Sequence, residues 1–273
     1  MRGISRNSLA EATRRLDENV LASADAAQHA VSLGGELFEV VALLGNEHSL
    51  RRWLADQANP VEKKTGLIGQ ILEGKVSPST VIVVNDVVSQ PWAGPRDMVD
   101  ALERLAVYAT VASVEGTRLD ELEDELFRFE RIVVAEPELR AALTREGVDV
   151  SHLHTLIENL LSGKVNSATL ALVDEAVTRP RARTLEQALD YFGQLVAERA
   201  QRYIAVVRSA VPLSEAHQDR LRTLLRRRYG REIHLNTEVA PEIVGGLSIQ
   251  VGDEVIDGTI AGRIAEVQRR LAG

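Results

Sequence analysis

The 273-residue chain contains no cysteine. That excludes disulfide frameworks, thiolate zinc sites, iron–sulfur clusters and thiol nucleophiles together. Aromatic residues are only 4 %, so an aromatic ligand pocket is not expected. The hydrophobic fraction, 45 % and mostly Ala, Leu and Val, predicts an aliphatic, helix-forming core. A basic excess is also missing: 32 Lys and Arg stand against 40 Asp and Glu, a net charge of −8, which disfavours a general nucleic-acid binder. No apolar run approaches the ~20 residues that cross a bilayer. The opening residues MRGISRNSLAEATRRL turn polar too early for a secretory signal. The expectation is a soluble, cytoplasmic chain that meets a membrane only through a partner.

The first ~205 residues read as helix after helix. Ser8 and Glu11 have capping-box spacing, with Leu9, Thr13, Leu16 and Val20 recurring behind them, and predict a first helix over about 5–22. Asn59-Pro60 and Ser77-Pro78 each set a cap residue before a first-turn proline. Thr184 with Gln187 repeats the capping box and opens a helix running towards Arg202.

Within this region the sequence repeats at an offset of 89. Residues 37–91 lie over 126–180 without a gap and share 17 identities in 55 positions. The ungapped register predicts one helical topology for both copies, with an extra N-terminal helix in the first. Composition changes near residue 203. YIAVVRSAV, REIHLNTEV and GGLSIQVGDEVID read as strands, with Ile233, Leu235 and Val239 on one face of the second and Leu247, Ile249 and Val251 on one face of the third. Between the first two lies a helix capped by Ser214, with Leu221, Leu224 and Leu225 on one face, ended by Gly230. A closing helix carries the stripe Ile260, Ile264, Val267 and Leu271. The fold class is therefore α+β, mostly α: residues 1–117 a helical bundle, copy one; 118–205 the helical repeat, copy two; 206–273 a small β-α-β-β-α domain. Residues 206–273 hold 10 basic and 9 acidic side chains, which leaves 22 against 31, and so nearly all the negative charge, on the helical part.

No motif in the chain supports catalysis. Gly69–Val76 (GQILEGKV) approaches a phosphate loop, but Val76 stands where a Mg²⁺-binding hydroxyl is needed, and Gly74 reads as a helix stop. Arg220–Arg231 is the dense basic stretch. With Tyr229 as its sole aromatic it reads as a solvated helix face, ahead of a docking surface for an acidic protein or for nucleic acid. His152 and His154 lack a third ligand at metal spacing, and the acidic run at 120–125 suits a helix start. Catalytic, cofactor and metal residues are therefore all expected to be absent, as is a small-molecule substrate. Gly252-Asp253 reads as a turn, and Asp257-Gly258 with Thr259 as the approach to the last helix.

The tail carries a family pattern. Ser209 to Ser214 with Pro212 and Leu213, Gly230 to Leu235, and Gly245 and Gly246 through Gly252, Asp253, Asp257, Gly258 and Thr259 match it in order, followed by the amphipathic helix. In these residues the chain resembles the C-terminal domain of the delta subunit (oligomycin-sensitivity-conferring protein) family of F-type ATP synthases. Ala240 and Thr259 depart mildly from the family's usual Asp and Ser. The resemblance implies a non-catalytic peripheral-stalk subunit on the cytoplasmic face of the cell membrane. Its six-helix bundle would grip N-terminal segments of alpha subunits, and its C-terminal domain would join the b subunit. The usual member is shorter by roughly the repeat offset of 89, so this chain is similar to the enlarged actinobacterial form. Expected partner-contact residues are Leu9 and Leu16 in the first helix and Ile260, Arg263, Ile264, Val267 and Leu271 in the last. The rival reading is a helical-repeat scaffold or nucleic-acid adaptor unrelated to ATP synthase.

Overall fold

A computed structural model of the chain describes residues 3–21, 26–114, 118–145, 147–201, 204–229, 233–240, 243, 245–251 and 254–259. Contacts divide it into two compact units, 1–197 and 198–273.

The first unit is helical. Helix α1 (Ile4–Arg15) continues into a π-helical turn, Leu16–Leu21, whose wider i→i+5 winding brings Leu16, Val20 and Leu21 all inward. Then follow α2 (Ala26–Asn46), α3 (His48–Ala55), α4 (Val61–Leu72), α5 (Pro78–Ser89) and α6 (Pro95–Val111). Copy two supplies α7 (Arg118–Ala135), α8 (Pro137–Leu143), α9 (Val150–Leu161), α10 (Ser167–Thr178) and α11 (Leu185–Gln201). Adding 89 to the bounds of α4 and α5 gives those of α9 and α10, and adding it to α3 gives α8 to within one residue, so the repeat in sequence is a repeat of helices.

The two copies also share their local chemistry. In copy one the Glu36 carboxylate on α2 accepts from Ser77 N (2.8 Å), Ser77 Oγ and Thr80 Oγ1, at the start of α5. In copy two Glu125 on α7 accepts from Asn166 N (3.0 Å) and from Thr169 Oγ1, at the start of α10. Each copy thus ties its first long helix to the N-terminus of its fourth by satisfying otherwise unpaired donors. Gly74 and Gly163, equivalent positions, both have positive φ (69° and 71°) and stop α4 and α9 as expected. Thr184 N donates to Gln187 Oε1 (3.0 Å) and Gln187 N to Thr184 Oγ1 (3.3 Å), the reciprocal capping box. Ser77 caps α5 with Pro78 at its first position.

Other local expectations are corrected. Ser8 is no cap: α1 begins at Ile4, and Ser8 is buried in mid-helix, where its hydroxyl donates to Pro91 O (2.5 Å). Glu11 pairs instead with Arg14 and Arg15. Long-range contacts to the α5–α6 loop won over the local capping geometry. Asn59 likewise reaches back to Trp53 O, and Pro60 itself takes the cap position of α4.

The core of the first unit centres on α2 and α6, which pack together along their length. The approach needs Gly34: a Cβ there would sit 1.9 Å from Thr110 Oγ1 and 3.0 Å from Ala106 O on α6. Helix α10 packs against both α2 and α6.

The second unit contains β1 (Ile204–Ser209), α12 (Glu215–Tyr229), β2 (His234–Val239), β3 (Leu247–Val251) and β4 (Glu254–Asp257). The sheet order is β2-β1-β3-β4, with β1 and β2 parallel and the other pairs antiparallel. α12 is the crossover that a parallel pair requires. Ala205, Val207, Leu221, Leu225, Ile233, Leu235, Ile249 and Val251 form its core. Leu224 (57 % exposed) and Val239 (52 %) lie outside it, contrary to the faces expected. Leu224 is one position off the 221/225 stripe, and Val239 ends the strand beyond the cover of α12. The segment 245–257, with its turn signal at Gly252-Asp253, folds as β3 before those positions and β4 after them, and the closing helix lies outside the described residues.

Candidate partner-binding surfaces

Helix α1 is held on its bundle by short polar side chains. Ser5 Oγ donates to Asp97 Oδ2 (2.5 Å) and accepts from Ala93 N (3.0 Å), beside the Ser8–Pro91 bond. Arg15 bridges to Asp86 on α5 at 2.9 Å. These contacts fix α1 against α5 and α6. Of the residues expected to meet a partner, Leu9 is half-buried on α1, whereas Leu16 is buried in the core of the bundle and offers no outer surface. Ile4 on α1 and Ile82 on α5 are exposed.

Adding 89 to α1 and its π-helical turn (4–21) gives 93–110, close to the span of α6, so copy two has no first helix of its own beyond α6, which packs against α10 as α1 packs against α5. The residue equivalent to Asp86 is Glu175 on α10. It is bonded by Arg179 Nη1 at 3.0 Å, and the same arginine reaches Glu39 on α2. Burial pushes the Glu175 carboxyl up to about 7, against the pull of Arg179. Two further arginines follow. Arg181 pairs with Asp100 (2.9 Å) and Glu103 (2.6 Å), and Arg183 grips both Glu103 oxygens (2.7 and 2.9 Å). Glu103 is buried on α6, and the Arg183 guanidinium lies 4.1 Å over the Tyr191 ring. Arg181 and Ala182 both hold positive φ (51° and 62°), a strained turn that aims the arginines at copy one. This clasp was not anticipated; its trace in the sequence is three arginines at alternate positions of RPRAR (179–183).

In the second unit the motif residues close a structural knot. Gly246 has φ 88°, and a Cβ there would lie 2.4 Å from Gly258 O, so only glycine fits. Gly258 N donates to Leu247 O (2.8 Å). Asp257 Oδ1 accepts from Thr259 N (2.9 Å), and these bonds hold its carboxyl below the usual range. Gly245 is half-buried at the entry to β3. Leu213 packs on the core, exposed Pro212 precedes it, and Ser214 Oγ accepts from His217 N (3.4 Å) at the start of α12. Gly230, Gly252, Asp253, Ile260, Arg263, Ile264, Val267 and Leu271 lie outside the described residues.

The profile of the family described as ATP synthase delta (OSCP) subunit matches residues 106–271. The chain belongs to that family. The match takes in copy two and the small domain, while most of copy one precedes it. Among relatives named ATP synthase subunit delta, the protein of Thermobifida fusca is 66 % identical. Those of Streptomyces griseus and Acidothermus cellulolyticus are 45 % and 41 % identical. In each case the alignment covers 100 % of both chains, so the enlarged length is shared by these family members. A chain in a cryo-EM structure of the Toxoplasma gondii mitochondrial ATP synthase hexamer aligns over 62 % of this chain and 95 % of its own. At 16 % identity and a TM-score of 0.32, that likeness carries no weight on the fold.

As a family member the chain is a delta-type subunit of the ATP synthase peripheral stalk. Among the described residues no helix is long and apolar enough to cross a membrane. No group of three or more His, Asp or Glu side chains there is placed to hold a metal ion. His154 bonds Asp174 on the neighbouring helix, and Gly69–Val76 runs from the last turns of α4 into the stop that follows it. On α12, Arg222 and Arg228 are engaged by Asp219 and Glu254.

Proposed function

We propose that this subunit is the adaptor that holds the catalytic head against the turning central stalk, by joining N-terminal segments of alpha to the membrane-anchored b subunit. Such work needs binding surfaces rather than reactive groups. The observation that carries the reading is the asymmetry of the copies. Copy one has a free-standing α1 pinned on α5 and α6, whereas the matching face of α10 is filled by α2 and α6. An alpha segment would therefore lie along α1 and α5 of copy one, where Leu9, Ile4 and Ile82 supply apolar contact. The b subunit would meet the small domain through Ile260, Arg263, Ile264, Val267 and Leu271. The assembly would place the chain on the cytoplasmic face of the cell membrane, with no bound cofactor or substrate of its own.

Reconstitution tests this. The purified chain is added to stripped membranes and catalytic head, and proton-coupled ATP synthesis is measured. Recovery is expected, with an Ile4→Asp/Leu9→Asp variant failing to bind alpha while still binding b. A chain that binds neither alpha nor b would end the reading.

A further inference from the structure

Helices α2 and α7 occupy equivalent places in the two copies, and one face of them has diverged. On α2 that face reads Gly34, Phe38 and Val41; α6 closes over Gly34, and the Phe192 ring of α11 lies 5.9 Å from Phe38, which is 2 % exposed. The same positions on α7 read Glu123, Phe127 and Glu130. Glu123 is exposed and Glu130 half-buried, and between them Phe127 is 59 % exposed, with Val134 at 60 % one heptad on. At 100° per residue Asp120, Glu123, Phe127, Glu130, Arg131 and Val134 share one strip. It carries three acids against one base. Burial first, then nearby Asp190 and Glu186 on α11, raise the Glu130 carboxyl against the pull of Arg131; Glu186 is itself paired with Arg140 (2.6 Å), so Asp190 is the acid that α11 adds to the strip.

We infer that this strip of α7 is a docking seat for a basic amphipathic helix of another protein. The helical form of the occupant follows from copy one, where the equivalent phenylalanine seats a helix through an aromatic contact. Its charge follows from the carboxylates that flank Phe127. A second copy of this chain does not fit, because its helix equivalent to that occupant, α11, is already spent on its own Phe38. The seat lies on a different helix from the α1–α5 surface.

The test uses the full-length chain and two labelled 18-residue helical peptides, one of Leu and Lys and one of Leu and Glu, with binding read by fluorescence anisotropy. The Leu/Lys peptide is expected to bind, and the Leu/Glu peptide to bind at least about tenfold more weakly. A Phe127→Ser/Val134→Ser variant should lose at least about tenfold in affinity for the Leu/Lys peptide with an unchanged melting temperature, and Glu123→Arg should lose less. A Leu/Lys peptide that fails to bind, that binds the double variant equally well, or that is matched by the acidic peptide overturns the inference. If Phe127→Ser/Val134→Ser shifts the melting temperature, Phe127→Tyr with Val134→Thr replaces it, judged by the same loss.

Discussion

α2 and α7 were made from one helix, and they now do different work. Both keep the inward stripe: Leu33, Leu37, Val40 and Leu44 on α2 answer to Leu122, Leu126, Phe129 and Val133 on α7, all buried. Both keep the carboxylate that ties down the fourth helix of the copy, Glu36 or Glu125. What separates them is the second face. Gly34 and Val41 let α2 be buried on two sides, and Glu123 and Glu130 leave α7 buried on one. Duplication thus kept what builds a bundle and freed what decides its neighbours.

The comparison can be broken most severely at the clasp between copies. Glu103→Ala would leave Arg181 and Arg183 partly buried without their carboxylate, at a cost of about 3 kcal/mol in urea unfolding. A loss under about 0.5 kcal/mol would show that the Glu103 carboxylate does not hold the copies together.

Next in size is Glu175, whose carboxyl burial pushes up to about 7 from its ordinary 4.5. The folded state binds its proton more tightly, so stability falls as pH rises from about 4.5 to 7 and is flat above. Arg179, Glu39 and Asp174 face the same carboxyl. Glu175→Gln should gain roughly 2 kcal/mol at pH 8 and flatten that part of the profile in thermal melts. A wild-type profile already flat over that window would refute the assignment. In copy one the equivalent Asp86 is met by Arg15 of α1.

Gly34→Ala would set a Cβ against Thr110 and the Ala106 carbonyl and should cost about 1–3 kcal/mol. Glu123→Ala, the matching change on α7, should stay within about 0.5 kcal/mol. Equal effects would contradict the two-face description. Smaller than the Gly34 effect are the twin ties: Glu36→Gln and Glu125→Gln should each cost about 1 kcal/mol. Although burial opposes it, hydrogen bonds from Thr80 and Ser77 keep the Glu36 pKa low. Its contribution, present above about pH 4.5, is lost as pH falls through the lowered folded pKa.

Helical register, the gapless repeat, Gly74, the 184/187 box and the strand segments were legible because they are local: period, cap and turn chemistry act within a few residues. The family pattern was legible for the same reason, since Gly246, Asp257 and Gly258 answer to one tight closure. Ser8 misled because its partner, Pro91, is 83 residues away. Leu16 read as a candidate contact because an apolar residue at helical spacing suits a partner or the chain's own core alike, and only the fold shows that Ser5, Ser8, Ala12 and Leu16 together face the bundle. The arginine clasp escaped because each arginine alone looks like surface charge, and only the fold brings Glu39, Asp100 and Glu103 to them.

That α6, the last helix of copy one, stands where copy two would carry its own first helix has a consequence for how the chain is made. Copy one leaves the ribosome first and, with its own α1, can close on itself while the rest is still being synthesised. Copy two arrives to a surface already shaped, with Glu39 and Glu103 waiting for its arginines. Its folding is templated, and the first copy is the foundation on which the second is assembled.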